Sequence, residues 1–332
     1  MTRMDAVIEV NDLVKEYIIV KKESGLRGSL KSLLFPKKTK FNGVNGISFS
    51  IAPGEIVGYI GPNGAGKSTT IKMLTGILHP TAGSIKVCGI SPQADRKAVV
   101  RKLGVVFGQR TQLYWDLRLG ESFELLRRIY QINQAEYEQN LAILTDVLKL
   151  QDFINTPVRQ LSLGQRMRGD IAAAMLHSPS VLFLDEPTIG LDADAKLAIR
   201  NFIKEINRTR GVTVILTTHD LDDVEQLCSR IIVVNNGKIV EDGPIESIIH
   251  KLTPHRMLVV ELQKPCADLS TPNAIVIKQE GLKIWYQFEK EAISASELIA
   301  ALSQKLPIQD ISVKEPNVED AIREVYKTTS SV

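Results

Sequence analysis

The stretch IGPNGAGKST, residues 60–69, constrains this chain more than any other. Gly61, Pro62, Asn63, Gly64, Ala65, Gly66, Lys67 and Ser68 satisfy the spacing G-x-x-x-x-G-K-[ST]. Successive backbone N–H groups in such a loop point inward and form an anion nest, which side chains larger than hydrogen would block. The spacing places the Lys67 ammonium on the outer phosphates of a nucleotide and the Ser68 hydroxyl on Mg²⁺. The flanks agree. EIVGYI (55–60) is short, apolar and β-branched, as a buried strand is. The residues from Ser68 onward, through Thr69, carry Ile71, Leu74 and Leu78 at helical spacing, and a helix start adds partial positive charge beneath a phosphate.

Around this loop, apolar strand-like runs alternate with helical ones. Strands are expected at 55–60, 84–88, 103–107, 181–184, 212–217 and 231–234. Helices are expected near 67–78, 120–131, 135–149, 164–177, 193–209 and 221–228. That alternation predicts a mainly parallel sheet with helices on its faces. Strand signals vanish between about 118 and 178, which reads as a helical insert, and VVNNGKIVEDG (233–243) reads as a hairpin turning at Asn236-Gly237. Beyond about 254, RMLVVELQ, NAIVIKQ and KIWYQFE alternate with SASELIAALSQKL and NVEDAIREVY, the pattern of a small separate α/β domain. The segment 18–43 carries seven Lys/Arg against one Glu, with Leu26, Leu30, Leu33 and Leu34 on one face if helical. It suits either a solvated loop with a short helix or a basic surface lying on anionic lipid.

Bulk properties narrow the class. The 332 residues are 44% hydrophobic with a formal net charge of +3, too small to imply a nucleic-acid partner. No apolar run approaches the ~20 residues that span a bilayer, and the first ten residues lack a signal-peptide core. Cys88, Cys228 and Cys266 lie far apart without C-x-x-C spacing, which argues against disulfides or zinc and fits a reducing cytosol.

Four further features gather chemistry. VLFLDEPT (181–188) delivers Asp185 and Glu186 at the C-terminal end of a buried strand, where open α/β sheets bind ligands. Asp185 suits the surroundings of Mg²⁺, and Glu186 suits a base that orients and deprotonates an attacking water. His219 ends the strand-like run GVTVILTTHD, within reach of a γ-phosphate, and Gln109 follows the run VVFG, where an amide meets Mg²⁺ or the water. In LSLGQRMRGDIAAAML (161–176), Ser162 is a good N-cap and Gly164 admits close approach of an anion, a second phosphate site at a helix start. A chain with one phosphate loop has no evident use for a second such site.

Taken in order, these residues resemble the nucleotide-binding subunits of ABC transporters. Tyr17 stands as the adenine-stacking aromatic, with Phe41 as the alternative; GPNGAGKST matches Walker A; Gln109 matches the Q-loop; LSLGQ, with Ser162, Gly164 and Gln165, matches the signature. LFLDEPT matches Walker B, GLD with Asp192 the D-loop, and His219 the switch histidine. The resemblance implies an α/β P-loop NTPase cassette over 1–250: a mainly parallel sheet core, an antiparallel β subdomain and a helical insert, followed by a small accessory α/β domain over 254–332. It implies binding of ATP and Mg²⁺, ATP hydrolysis, and two copies packed head to tail, so that Ser162 and Gly164 of one close on ATP held by the other. It further implies separate transmembrane permease subunits and a peripheral place on the cytoplasmic face of the inner membrane. Two departures stand out: Leu163 replaces the first glycine of the usual LSGGQ, and Gly108 precedes the Q-loop glutamine. The branch resembled is that of drug, viologen and daunorubicin exporters. The alternative is a soluble ABC ATPase acting on ribosomes or DNA; such proteins usually carry two cassettes or long coiled coils, and this chain has one uninterrupted cassette.

Overall fold

The runs IVGYI, VLFLD and TVILT are buried along almost their whole length, as strands must be when both faces of a sheet are covered. In the computed structural model, which describes residues 6–21, 37–108, 110–218, 220–252, 255–289, 291–314, 319 and 322, they become β3 (Ile56–Ile60), β6 (Val181–Asp185) and β7 (Thr213–Thr217). With β5 (Leu103–Phe107), β8 (Arg230–Asn235) and β9 (Lys238–Pro244) they form one six-stranded sheet, ordered β5-β6-β7-β3-β8-β9. The pairs β5/β6, β6/β7, β7/β3 and β3/β8 are all parallel. Their C-terminal ends therefore lie along one edge. Asn236 and Gly237 between β8 and β9 both have positive φ, 47° and 74°, as a two-residue type I′ hairpin turn requires.

Four helices alternate with these strands along the chain. They are α1 (Lys67–Leu74) after β3, α5 (Leu163–Met175) before β6, α6 (Ala193–Arg210) before β7, and α7 (Leu221–Leu227) before β8. The short α2 (Arg96–Val100) precedes β5, and α3 (Leu119–Tyr130) with α4 (Gln134–Val147) fill the insert, where helices were expected. A second sheet, antiparallel, has the order β2-β1-β4 from β1 (Ile8–Lys21), β2 (Lys37–Ile51) and β4 (Ala82–Val87). One core cluster joins the two sheets through α1: Leu13, Ile47 and Ile85 on one side, Ile71 and Leu74 in the middle, Tyr59, Phe183 and Ile215 on the other.

The basic stretch 18–43 differs from expectation at both ends. β1 and β2 run as a ladder out to Lys21 opposite Lys37, so 18–21 and 37–43 are strand rather than loop or helix. The ladder hydrogen bonds are made by the backbone, and lysine side chains do not prevent them. Leu26, Leu30, Leu33 and Leu34 lie outside the described residues.

The chain divides into two compact units, Met1–Asp242 and Gly243–Val332. The second unit begins with α8 (Ile245–Leu252). It contains an antiparallel sheet ordered β11-β12-β10-β13, from β10 (His255–Leu262), β11 (Ala274–Glu280), β12 (Lys283–Glu289) and β13 (Ile308–Lys314). Leu298 and Leu302 of α9 (Ala295–Lys305) pack on Leu258, Val260, Ile284, Tyr286 and Phe288. Most of the helix expected over 317–326 falls outside the described residues.

Deep in the first unit, the fully buried Asp223 of α7 accepts from Arg200 of α6 and from the Thr188 hydroxyl just beyond β6. This ties three segments behind the sheet edge. Removing one partner of a buried ion pair leaves the other uncompensated. Asp223→Ala is expected to lower unfolding free energy by about 3–5 kcal/mol in urea titration, and Asp223→Asn by less, because its amide oxygen still accepts.

Candidate functional site at the sheet edge

The loop 61–66 begins where β3 ends. Two of its glycines are demanded by packing. A Cβ on Gly61 would meet the Val234 carbonyl oxygen at 2.2 Å, and one on Gly66 the Gly43 carbonyl oxygen at 2.3 Å. Only Gly64 faces open space, and its φ of +83° is the left-handed conformation that glycine adopts without strain. Helix α1 starts at Gly66 with no side-chain cap, leaving the N–H groups of its first turn directed at the loop. Lys67, 7% exposed, arches back and donates to Gly61 O at 2.6 Å and Pro62 O at 3.2 Å. Burial lowers its pKa, while the Glu186 and Asp185 carboxylates work against that shift. The loop, the ammonium and the helix start thus converge as an anion cradle.

Strands β3 and β6 are not neighbours; β7 lies between them. Adjacent strands are about 4.8 Å apart, so the two backbones stand roughly 10 Å from each other. Ser68 and Asp185 close that gap, the Ser68 hydroxyl lying 3.4 Å from Asp185 Oδ2. The intervening strand steadies both carboxylate positions. Thr217 at the end of β7 donates its hydroxyl to Asp185 Oδ1, and its carbonyl accepts from Glu186 N at 2.8 Å. Glu186 itself has φ of +56°, a strained backbone for a non-glycine residue that its surroundings must hold.

Gly108 supplies part of that hold. Its N–H donates to Asp185 O at 2.7 Å, and a Cβ there would stand 2.4 Å from Glu186 O. The departure seen in the sequence therefore has a steric reason: nothing larger than glycine fits against the Asp185–Glu186 backbone. Ser68, Lys72, Phe107, Gly108, Asp185 and Glu186 line a cavity of about 330 Å³. A second, of about 300 Å³, has Glu186, Thr188, Gly190, Lys196, Thr218 and Asp220 on its wall, so Glu186 faces both.

Tyr17 lies beside the loop. Its ring covers Gly43, where a Cβ would be 2.7 Å from it, and its hydroxyl is 3.3 Å from Thr69 Oγ1. Phe41, half exposed, is its cross-strand partner, so both aromatics stand on one face of the β1–β2 ladder.

The second helix start is elsewhere. Ser162 N-caps α5 in a reciprocal box, its hydroxyl accepting from Gln165 N at 3.2 Å and Gln165 Oε1 accepting from Ser162 N at 2.9 Å. Ser162 and Leu163 are exposed, and neither they nor Gly164 and Gln165 line the cavity at Ser68. Asp192 N-caps α6, accepting from Ala195 N at 2.7 Å. Gln109 and His219 lie outside the described residues. Thr217 was missed from sequence; its only signal was a hydroxyl residue at the end of an apolar strand.

Comparison with known proteins identifies the family. The family profile described as ABC transporter matches residues 44–189. The Nod factor export ATP-binding protein I of Burkholderia orbicola is 33% identical over 237 residues, 71% of this chain and 74% of that protein. This chain belongs to the ABC transporter ATP-binding family. The ABC transporter ATP-binding protein NatA of Bacillus subtilis is 32% identical over 212 residues, 64% of this chain and 86% of NatA. A solved dimeric ATP-binding cassette in a post-hydrolysis state, bound to ADP and Pi, matches with a TM-score of 0.59 at 26% identity, over 71% of this chain and 98% of that one. The ABC transporter fold expected from sequence is thus present, and the chain is an ATP-binding subunit with an ATPase domain.

In this ABC subunit Gly108 becomes a test of how tightly Glu186 is held. Gly108→Ala is expected to lower kcat of ATP hydrolysis by about 10-fold or more, by displacing the Glu186 backbone. Circular dichroism and ATP affinity should stay near wild type, because the anion cradle lies on β3 and α1.

Proposed function

We propose that this subunit powers a membrane exporter as one of two copies that close head to tail around ATP. One observation carries the reading. The capped, exposed helix start at Ser162 lies outside the cavity formed by Ser68, Asp185 and Glu186. A second copy, turned about a two-fold axis, would bring its own Ser162 and Gly164 to the far side of a triphosphate held in the cradle. The dimeric cassette matched above supports that pairing, and the Nod factor export relative supports export. Separate permease chains would carry the cargo path; among the described residues, no helix is long and apolar enough to cross a membrane. The subunit would then sit peripherally on the cytoplasmic face.

In this reading each chain contributes defined tasks. Lys67 and the loop N–H groups bind the phosphates, and Tyr17, with Phe41 beside it, supplies the surface for the adenine. Glu186, held by Thr217 and Gly108, orients and deprotonates the attacking water; by the family resemblance Gln109 is assigned to Mg²⁺ or that water, His219 to the γ-phosphate and Asp192 to nucleotide binding. Ser68 and Asp185 offer the hard oxygen donors that Mg²⁺ prefers. Among the described residues, no cluster of three His, Cys, Asp or Glu side chains holds a metal by itself, so phosphate oxygens would complete such a site. Bound there, Mg²⁺ would neutralise charge on the outer phosphates. The two compact units are read as the ATPase domain and an accessory domain.

Glu186→Gln is expected to bind ATP normally, hydrolyse it at least ~100-fold more slowly, and elute as a dimer with ATP in size-exclusion chromatography. A monomer with ATP bound would refute the paired mechanism. Lys67→Ala is expected to lose nucleotide binding by calorimetry; unchanged affinity would remove the cradle.

A further inference from the structure

Leu163, the first helical residue of α5, stands where the usual signature has a glycine. With Gly164 next to it, a glycine there would put two in the first turn of the helix. Glycine keeps more backbone freedom than any other residue and is a poor helix former, so such a start frays readily. A leucine at this position stiffens the turn that Ser162 caps.

Its side chain also reaches a second segment. Leu163 Cδ2 lies 3.2 Å from where a Cβ of Gly190 would stand, and a Cβ on Gly164 would meet Ala195 Cβ at 3.0 Å. Gly190, with φ of +70°, belongs to a tight turn. There Ile189 N donates to Glu186 O at 3.4 Å and Leu191 N to Thr188 O at 3.2 Å, before Asp192 caps α6. The two glycines thus let the helix start and this turn lie against each other, with Leu163 covering the turn.

The contact leaves apolar surface in water. Leu163 is 38% exposed and Ile189, bonded to the same Gly190, is 44% exposed. Single exposed apolar side chains are ordinary. These two border one glycine and flank the exposed cap at Ser162, the group read above as facing the triphosphate of a second copy. The apolar strip is therefore continuous with the surface through which two copies would pair, and a two-fold axis would present it from both.

We propose that Leu163 strengthens pairing of the two copies: it pre-orders the helix start, and with Ile189 it forms an apolar seam that the second copy covers when ATP closes the pair. The inference rests on the paired-copy reading of the site. It concerns the strength of pairing and leaves the anion cradle, built by β3 and α1, untouched.

The test uses the full chain carrying Glu186→Gln, with ATP, and reads the dimer dissociation constant by analytical ultracentrifugation. Adding Leu163→Gly is expected to weaken pairing about 10-fold or more. Leu163→Ala keeps the helix propensity, loses the seam, and should weaken pairing by a smaller factor; it carries the test where the glycine variant misfolds. Leu163→Met keeps an apolar side chain and should stay within about 3-fold of the parent. Ile189→Ala should weaken pairing about 3-fold. The loss in Leu163→Gly should be the same at about 0.1 M and 1 M salt, because burial of apolar surface is not screened as charge is. Affinity for ADP, by calorimetry, should stay within about 2-fold in every variant. Pairing as tight as the parent's in Leu163→Gly, or in Leu163→Ala if the glycine variant does not fold, would overturn the proposal. So would a loss that disappears at high salt, or a parallel loss of ADP affinity, which marks a structural role alone. Failure of the paired-copy reading shows differently, as a parent Glu186→Gln chain that stays monomeric with ATP bound.

Discussion

The hydroxyl and carbonyl of one threonine organise the chemistry of this molecule. Thr217 ends the strand that separates the anion cradle from the carboxylates, and it bonds to Asp185 with its side chain and to Glu186 with its backbone. Without that spacer, two strands roughly 10 Å apart could not present Ser68 and Asp185 to each other in a fixed geometry. Parallel pairing is the deeper constraint. It aligns the C-terminal ends of β3, β5, β6, β7 and β8 on one edge, so loops far apart in sequence become neighbours.

A division of labour follows. The cradle side is preorganised: Lys67 is bonded to its own loop, α1 is uncapped, and the glycines permit backbones to cross closely. The carboxylate side is held under strain, with Glu186 in a left-handed conformation braced by Gly108 and Thr217. The signature side, by contrast, is exposed and complete as a helix cap, and it is not part of the lining of the cavity at Ser68. That exposed helix start, outside the cavity at Ser68, is the physical basis for the proposed pairing of two copies. Leu163, the departure within the signature, is 38% exposed and packs on the D-loop side, 3.2 Å from where a Cβ of Gly190 would be.

Much of this was legible from residues alone. β3, β5, β6, β7 and β8 were each expected within a residue or two, because runs buried on both faces read as continuous apolar stretches. The helices of the insert, and those following the sheet edge, were read from spacing and caps. β1 and β2 were not among the expected strands; at their lysine-rich ends the composition hides a ladder made by backbone groups. β13 was missed as well: IQDISVK mixes charged and apolar residues, and its strand character comes from pairing with β10.

By itself, then, the sequence determined the local chemistry: a glycine-rich anion loop, a strand delivering two carboxylates, a capped helix start, and the alternation that forces a parallel sheet. Each depends on spacing within a few residues, where backbone geometry leaves few options. Tertiary structure alone decided which distant groups meet. Thr217 came to brace Asp185, Gly108 to lie against Glu186, Phe41 to stand opposite Tyr17, and Asp170 to grip Thr111 and Gln112. These contacts bridge tens of residues and are set by strand order and burial, which no local pattern encodes.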